Sequence, residues 1–310
     1  MHEGSQRAVI AAFAANLGIA AAKFVAFAFT GAASLLAEAV HSVADTGNQA
    51  LLFLGSARAK RPATEEHPFG FGRERYFWSF VVALVLFSVG ALFAVGEGIE
   101  KLLHPHELES PAVALGVLAV SIALETASFL TARREANHLR GAESWAAFIR
   151  DTKNPELPVV LLEDVGALIG LLLAAAGVGL AVAAGDPRFD ALGSIAIGLL
   201  LGAIAIVLAV KMKSLLIGES ASPAVVAEIR AAMESAPHVE RMIHLRTIHL
   251  SPDDLVVACK LAFDPSLDLA TLAKAIDEIE RRVRAEVAIA RLIFIEPDVD
   301  RATRSTPAAP

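Results

Sequence analysis

Long apolar runs recur along the first part of this chain and constrain its fold more than any other feature. A bilayer core requires about 20 apolar residues per helix. Segments of that length lie at about 8–29, 34–56, 77–101, 111–132, 158–183 and 190–211. Because a backbone in lipid must satisfy its own hydrogen bonds, we predict that each segment forms a membrane-spanning helix.

The overall composition agrees with a membrane protein and argues against several other classes. Of the 310 residues, 55% are hydrophobic, and the mean hydropathy of +0.56 is too high for an ordinary soluble domain. The formal net charge of −7, with no basic stripe, argues against a nucleic-acid partner. A single cysteine, Cys259, excludes an internal disulfide framework and a cysteine-based zinc cage. The N-terminal segment has no obvious small-residue cleavage site, so we interpret its apolar run as a permanent span.

Basic residues are distributed unevenly between the two ends of the predicted spans. The connections that follow the second, fourth and sixth spans hold most of them: Arg58, Lys60, Arg61, Arg73, Arg75, Arg133, Arg134, Arg140, Arg150, Lys153, Lys211 and Lys213. The opposite connections offer only Lys101 and Arg188. By the positive-inside rule, both termini are predicted to face the cytoplasm. The cell (inner) membrane is the expected location.

After Gly218 the sequence changes to a soluble α+β pattern. Residues 222–238 form an amphipathic segment that starts with a serine, a favoured helix N-cap. Two alternating strands around a Ser-Pro-Asp-Asp turn, a second amphipathic helix and a short strand complete the order αββαβ. We therefore predict a six-helix membrane bundle over residues 1–218 and a cytoplasmic α+β domain over residues 219–298. Residues 299–310 are too polar to pack and are predicted to be a disordered tail.

The second predicted span carries polar side chains at membrane depth. Glu38, His41, Asp45 and Asn48 are three or four residues apart and therefore share one face of a helix. Ionisable residues inside a membrane mark substrate or proton paths. His41 and Asp45 can both reach one divalent cation, and their nitrogen and oxygen suit zinc, iron, manganese or cobalt. The alternative is that the stripe packs against other polar helices.

Further ionisable residues lie in the other predicted spans. Asp164 is expected to face the second-span stripe, because small residues after it favour close helix packing. Glu163 points about 100° away and is the weaker candidate; an interfacial acidic pair is the alternative for both. Glu125 is a buried carboxylate of the fourth span. Lys23 in the first span is expected to snorkel or to pair with an acid.

The second span and its surroundings resemble a known family of transporters. The stretch TGAASLLAEAVHSVADTGNQALLFLG is similar to the second-span signature of the cation diffusion facilitators, which export zinc and related divalent metals in exchange for protons. The resemblance extends over nearly the whole chain, and HPFGFGRERYFWSF and VVLLEDVGALIG are most similar to the subgroup that includes zinc transporter 9. It implies a ferredoxin-like, metallochaperone-like cytoplasmic domain, a homodimer formed through that domain, and no cofactor besides the transported metal.

The resemblance also implies a set of metal ligands. The family combines two second-span residues four apart with a fifth-span His-x-x-x-Asp pair. Matched residue by residue, three ligands are present: His41, Asp45 and Asp164. Val160 replaces the fifth-span histidine, so water, Glu163 or Glu38 is the candidate for the fourth ligand.

These features together predict a divalent metal transporter, most simply for zinc, that works by proton antiport. A deprotonated site binds metal from the cytoplasm, and protonation of His41 and a carboxylate releases the metal on the other side. Glu163, Glu38 and Glu125 are candidates for additional metal binding or proton coupling. Arg73 and Arg75 are candidates for a cytoplasmic gate, with an interfacial anchor as the alternative. Rival functions are a carrier or channel for manganese, iron or cobalt and, remotely, a membrane metal-dependent enzyme, for which no HExxH or GxSxG motif exists.

Overall fold

Two units divide the chain in the computed structural model, which describes residues 3–142 and 144–299. The first unit contains the described residues of Met1–Arg61 and Glu74–Lys213. The second contains Pro62–Arg73 and the described residues of Ser214–Pro310. The segment 62–73 therefore groups with the C-terminal unit, where Gly72 packs so closely on Leu250 and Ser251 that a Cβ atom would lie 2.9 Å from the Ser251 Cβ.

Helices build the first unit. They are α1 (Glu3–Thr30), α2 (Ala33–Ala59), α3 (Glu74–Leu103), α4 (Pro111–Arg140), α5 (Trp145–Asp151), α6 (Glu156–Ala184) and α7 (Arg188–Ile217). Four of them, α3, α4, α6 and α7, are long and apolar enough to cross a membrane, which confirms four of the predicted spans in these respects. The described part of α1 contributes a shorter apolar run, Leu17–Thr30, and the polar stripe of α2 lowers the apolarity of that helix.

Small residues set the packing of the bundle around the stripe. The core of the unit joins buried side chains of α2, α3, α4, α6 and α7, such as Leu35, Leu86 and Leu171. At the contact of α6 with α7, a Cβ atom on Gly177 would lie 3.1 Å from a backbone oxygen of α7. Glycine therefore permits a close approach of these two helices, as small residues commonly do between membrane helices.

The second unit contains the predicted αββαβ order. Its elements are α8 (Pro223–Glu234), β1 (Val239–Ser251), β2 (Asp254–Phe263), α9 (Leu269–Glu286) and β3 (Leu292–Asp298). The strand order is β1-β2-β3, with β1 antiparallel and β3 parallel to β2. The hydroxyl of Ser222 accepts a hydrogen bond of 3.3 Å from the Val225 N–H, which confirms the predicted N-cap. The helices and the sheet share one apolar core that includes Ile229, Val257 and Ile279.

Candidate metal site

The polar stripe predicted for the second span lies on α2 and faces inward. Glu38, His41 and Asn48 are buried, and the Asp45 side chain is 16% exposed. Alanine and leucine are frequent along α2, and both favour a helical backbone. Their helical spacing therefore places the four polar side chains one after another along a single face.

His41 and Asp45 form a close pair of metal-binding side chains. Nε2 of His41 lies 3.4 Å from Oδ2 of Asp45. Both ring nitrogens of His41 and Oδ1 of Asp45 are buried without a hydrogen-bond partner among the described residues. Buried polar atoms are normally hydrogen-bonded, so unpartnered ones require an explanation such as a bound ion. An imidazole nitrogen and a carboxylate oxygen are together suitable for zinc and related divalent metals.

Glu163 lies closer to the stripe than the sequence predicted. The Asn48 Nδ2 atom donates a hydrogen bond of 2.6 Å to Oε1 of Glu163, which is itself buried. Glu163, which was predicted to be the weaker candidate because it points about 100° from Asp164, therefore also contacts α2. The physical reason is that α6 packs against both α2 and α4, so that two adjacent sides of α6 meet polar neighbours.

Asp164 faces a second group of acids. Its carboxylate is near enough to Glu125 of α4 and to Asp45 of α2 to interact electrostatically with both. Its Oδ2 atom is buried and has no hydrogen-bond partner in the described part of the chain. Asp45 and Glu125, with Ile19 and Ser42, also line a cavity of about 10 Å³, close to the space that one water molecule requires. The structure thus places Asp45 between His41 on its own helix and the acids of α4 and α6.

The three predicted ligands do not converge fully in this structure. Among residues 3–142 and 144–299, no group of three His, Cys, Asp or Glu side chains is close enough to hold a metal ion. His41 and Asp45 are in contact, whereas Asp164 is near enough to Asp45 for an electrostatic interaction. A divalent cation between these carboxylates would offset their mutual repulsion and draw them together.

Glu38, the first residue of the stripe, forms an ion pair with Lys23 of α1. The Lys23 Nζ atom donates hydrogen bonds of 3.2 Å to Oε2 of Glu38 and of 2.8 Å to the hydroxyl of Ser42. The prediction that Lys23 pairs with an acid is confirmed. Oε1 of Glu38 points against Gly170 of α6, where a Cβ atom would collide with it. Glu38 is therefore occupied by an ion pair, which leaves it less free to bind a metal.

Val160 takes part in apolar packing one turn before Asp164. Its side chain is half-buried and lies against the core of the bundle. The fifth-span position at which the family carries a histidine thus contributes packing here, and no nitrogen ligand.

The two arginines predicted as a gate occupy different settings. Arg75, in the first turn of α3, donates hydrogen bonds of 2.7 and 2.8 Å to the two carboxylate oxygens of Glu156, at the start of α6. This bidentate pair ties α3 to the helix that carries Asp164. Arg73 belongs to the segment that groups with the C-terminal unit, where its guanidinium lies near Gly218.

In the sheet of the second unit, Lys260 forms ion pairs with two acidic side chains. The Lys260 Nζ atom lies 2.9 Å from Glu296 and 3.0 Å from Asp298. His244 is the partner of Lys260 in the β1–β2 register, and His249 is buried. A lysine ammonium therefore holds the two carboxylates of β3.

One buried cluster went unpredicted. Asp190 of α7 accepts hydrogen bonds from the N–H groups of Ala33 and Ser34, at distances of 2.7 and 3.3 Å, and from the Ser34 hydroxyl. Lys101 of α3 donates to the same carboxylate at 2.9 Å and to the Gly31 carbonyl at 2.5 Å. Asp190 thus caps the N-terminus of α2 from another helix. No local signal could have found it, because an N-cap is normally read from the residue that precedes the helix.

Comparison with known proteins identifies the family of the chain. Residues 9–217 match the family model described as the cation efflux transmembrane domain. Residues 221–298 match that of the cation efflux protein, cytoplasmic domain, which is the dimerisation domain of the family. Together the two matches cover nearly the whole described chain.

Several curated proteins are similar to it. The proton-coupled zinc antiporter SLC30A9, mitochondrial, of Xenopus laevis is 39% identical over 224 residues, which are 72% of this chain and 40% of that protein. Metal tolerance protein C4 of Arabidopsis thaliana is 34% identical over 220 residues, which are 70% of this chain and 48% of that protein. Magnetosome protein MamB of Magnetospira sp. (strain QH-2) is 26% identical over 289 residues, 92% of each chain. The chain therefore spans less than half the length of the first two relatives.

The matched family models, the apolar helices and the second-span stripe agree with one another. The transmembrane model alone covers more than half of the chain, and four helices are suited to cross a membrane. The chain is therefore a multi-pass integral membrane protein of the cation efflux family, the cation diffusion facilitators, and it is similar to the zinc transporter 9 group within that family.

Proposed function

We propose that this protein exports a divalent metal, with zinc as the preferred substrate, from the cytoplasm in exchange for protons. The observation that carries the proposal is the set of buried ligand atoms on His41, Asp45 and Asp164 that have no hydrogen-bond partner among the described residues. The three residues come from two helices, α2 and α6, that pack against each other. A cation held between two helices can be released when the helices shift, as alternating access requires.

The donor set favours zinc or a related first-row metal as the substrate. One imidazole and two carboxylates resemble the mixed nitrogen and oxygen ligands of exchangeable zinc sites. Glu163 lies next to Asp164 and accepts a hydrogen bond from Asn48, so we propose it as an outer partner of the site. With a single nitrogen ligand, selectivity against manganese, iron and cobalt is expected to be modest.

Protons compete with the metal for the same ligands in this scheme. The ligands bind metal only when they are deprotonated, so protonation on the outer side promotes release. One relative is named a proton-coupled zinc antiporter, which supports proton coupling here. A channel or carrier without coupling is the rival, and it would show metal flux with no proton counterflow. Cation efflux proteins are transporters, so the enzyme alternative has no support.

The remaining parts of the proposal concern architecture. We propose six spans, with α1 and α2 added to the four apolar helices, both termini in the cytoplasm and a location in the cell membrane. The transport domain comprises residues 1–218 in this proposal, and a ferredoxin-like domain of residues 219–298 forms the homodimer. The predicted disordered tail, residues 299–310, lies largely outside the described residues. We propose Arg75 as part of a cytoplasmic gate, because its pair with Glu156 joins α3 to the helix that carries Asp164. Arg73 stays a second candidate for this gate.

A transport assay on purified protein tests the proposal. In proteoliposomes, the wild type should show proton flux stimulated by zinc, and more weakly by manganese, iron, cobalt or cadmium. Asp45→Ala should abolish this flux, because it removes a carboxylate ligand, while the fold is retained. Asp186→Ala is the matched control, since Asp186 lies between α6 and α7 and away from the stripe. Full transport by Asp45→Ala would contradict the site, and metal flux without proton flux would favour the channel.

A further inference from the structure

Lys23 is a buried positive charge inside the helical unit. Its side chain on α1 is 1% exposed, and both of its hydrogen bonds cross to α2. A lysine ammonium is rarely buried unless it is paired. Glu38 supplies that pairing carboxylate and Ser42 supplies a hydroxyl, at the turn of α2 that contains His41.

The carboxylate of this pair is only partly hydrogen-bonded. Oε2 of Glu38 contacts Lys23, whereas Oε1 is buried and has no hydrogen-bond partner within the described residues. Gly170 leaves the room that this oxygen occupies, because any larger residue would collide with it. A buried ion pair that serves only stability is expected to have its remaining lone pairs satisfied. The free oxygen of Glu38 indicates another purpose.

The charge of Lys23 reaches the candidate metal site. It acts electrostatically on His41, on Asp45 and on Glu125 of α4. Lys23 therefore repels a cation bound by these residues, while Glu38 attracts it. The balance between the two charges is a property of the α1–α2 contact, separate from the ligands themselves.

We propose that Lys23 sets the metal affinity of the transport site. Its ammonium neutralises Glu38 and keeps that carboxylate from becoming an additional ligand, so that the site binds the metal weakly enough to release it. The inference rests on the proposed function and adds a residue that positions and tunes the ligands without touching the metal. A protonated ammonium has no lone pair to offer a metal, so Lys23 acts through charge and through Glu38.

Zinc binding to the purified full chain, measured by competition with a fluorescent chelator at one pH, tests this inference. Lys23→Met should tighten zinc binding by roughly tenfold, because Glu38 is then unopposed. Glu38→Gln should weaken binding by roughly the same factor, because Lys23 then acts alone. The double variant should return the affinity toward that of the wild type, and Lys23→Arg, which keeps the charge, should rescue it.

Lys101 offers a matched control in the same bundle. It is also a buried lysine in an ion pair, but its partner is Asp190 of α7, which caps the N-terminus of α2. Lys101→Met makes the same chemical change and should leave zinc affinity unaltered. Zinc binding by Lys23→Met that is as weak as in Glu38→Gln would overturn the inference, since both effects would then reflect damaged packing.

Two further outcomes keep the inference separate from the proposed function. In the first outcome, the wild type binds zinc, and Glu38→Gln and the double variant bind it with the same affinity. That result would overturn the role of Lys23 and leave the metal site intact. These two variants carry the test even where Lys23→Met does not fold, because Glu38→Gln keeps an oxygen that can accept from Lys23 and the double variant removes both charges. A wild type that binds no zinc would overturn the metal site and the role of Lys23 together.

Discussion

Two buried lysine–carboxylate pairs in the helical unit differ in how completely their carboxylates are hydrogen-bonded. Lys101 and Asp190 are 2.9 Å apart, and Lys23 and Glu38 are 3.2 Å apart. Both carboxylate oxygens of Asp190 accept hydrogen bonds, from backbone N–H groups, a hydroxyl and the lysine. Glu38 instead has one oxygen without a hydrogen-bond partner in the described chain.

The difference agrees with a structural role for Asp190 and with the functional role that we propose for Glu38. Asp190 satisfies the N–H groups at the start of α2, where a negative charge is also favourable to the helix dipole. Its network is complete, as expected of a group that holds helices in place. Glu38 lies one turn before His41, and its hydrogen bonding is incomplete among the described residues. Completeness of hydrogen bonding therefore distinguishes the two pairs better than burial does.

The largest expected effect comes from breaking the complete pair. Asp190→Ala leaves the Lys101 ammonium and two backbone N–H groups of α2 without their acceptor, which should lower the free energy of unfolding by about 3–5 kcal/mol. Thermal unfolding in detergent measures the change, with Glu38→Gln as the control. A loss of stability in Asp190→Ala no greater than in Glu38→Gln would remove the distinction between the two pairs.

A smaller effect is expected when the site gains a ligand. Val160 and Asp164 are four residues apart on α6, so a histidine at position 160 points to the same side as Asp164. Val160→His should strengthen zinc binding by roughly tenfold or more and sharpen the preference for zinc over manganese. Metal competition in the same lipid measures both quantities.

Ile169→His provides the control for that change, because Ile169 of α6 is 40% exposed and lies beyond the candidate site. Combining Val160→His with Lys23→Met sharpens the comparison further, since an effect of ligand number and an effect of charge should add approximately when they are independent. Equal zinc affinity and equal metal ranking in Val160→His and the wild type would mean that position 160 does not face the site.

The smallest effect is expected from a third lysine–carboxylate group, in the second unit. Lys260 contacts Glu296 and Asp298 at the surface of the sheet, where solvent weakens ion pairs. Hydrogen bonds to Glu296 and Asp298 raise the pKa of Lys260. A raised lysine pKa stabilises the fold at neutral pH, and this contribution disappears as the pH rises through the raised value. Lys260→Met should therefore change the unfolding temperature only slightly at pH 7.

High salt gives the control for Lys260, because screening should remove most of the remaining difference between Lys260→Met and the wild type. A loss of stability in Lys260→Met as large as that in Asp190→Ala would show that the surface group is not the minor contributor we expect.

Features that depend on short-range pattern were predictable from the sequence. The four apolar helices follow from runs of sufficient length, and the αββαβ order follows from alternation and capping residues such as Ser222. The stripe on α2 follows from spacing alone, because 3.6 residues per turn place residues 38, 41, 45 and 48 on one side. These properties require no knowledge of neighbouring helices.

Only the tertiary structure decided which groups meet that stripe. Glu163 and Asp164 are adjacent in sequence, yet one contacts Asn48 and the other interacts with Glu125, because α6 lies between α2 and α4. The sequence left open whether Lys23 snorkels or pairs with an acid, and it offered no sign that Asp190 caps α2 across 157 residues. Each of these contacts depends on how a helix is rotated and which helix it packs against, and a rotation of about 100° per residue is enough to exchange one partner for another.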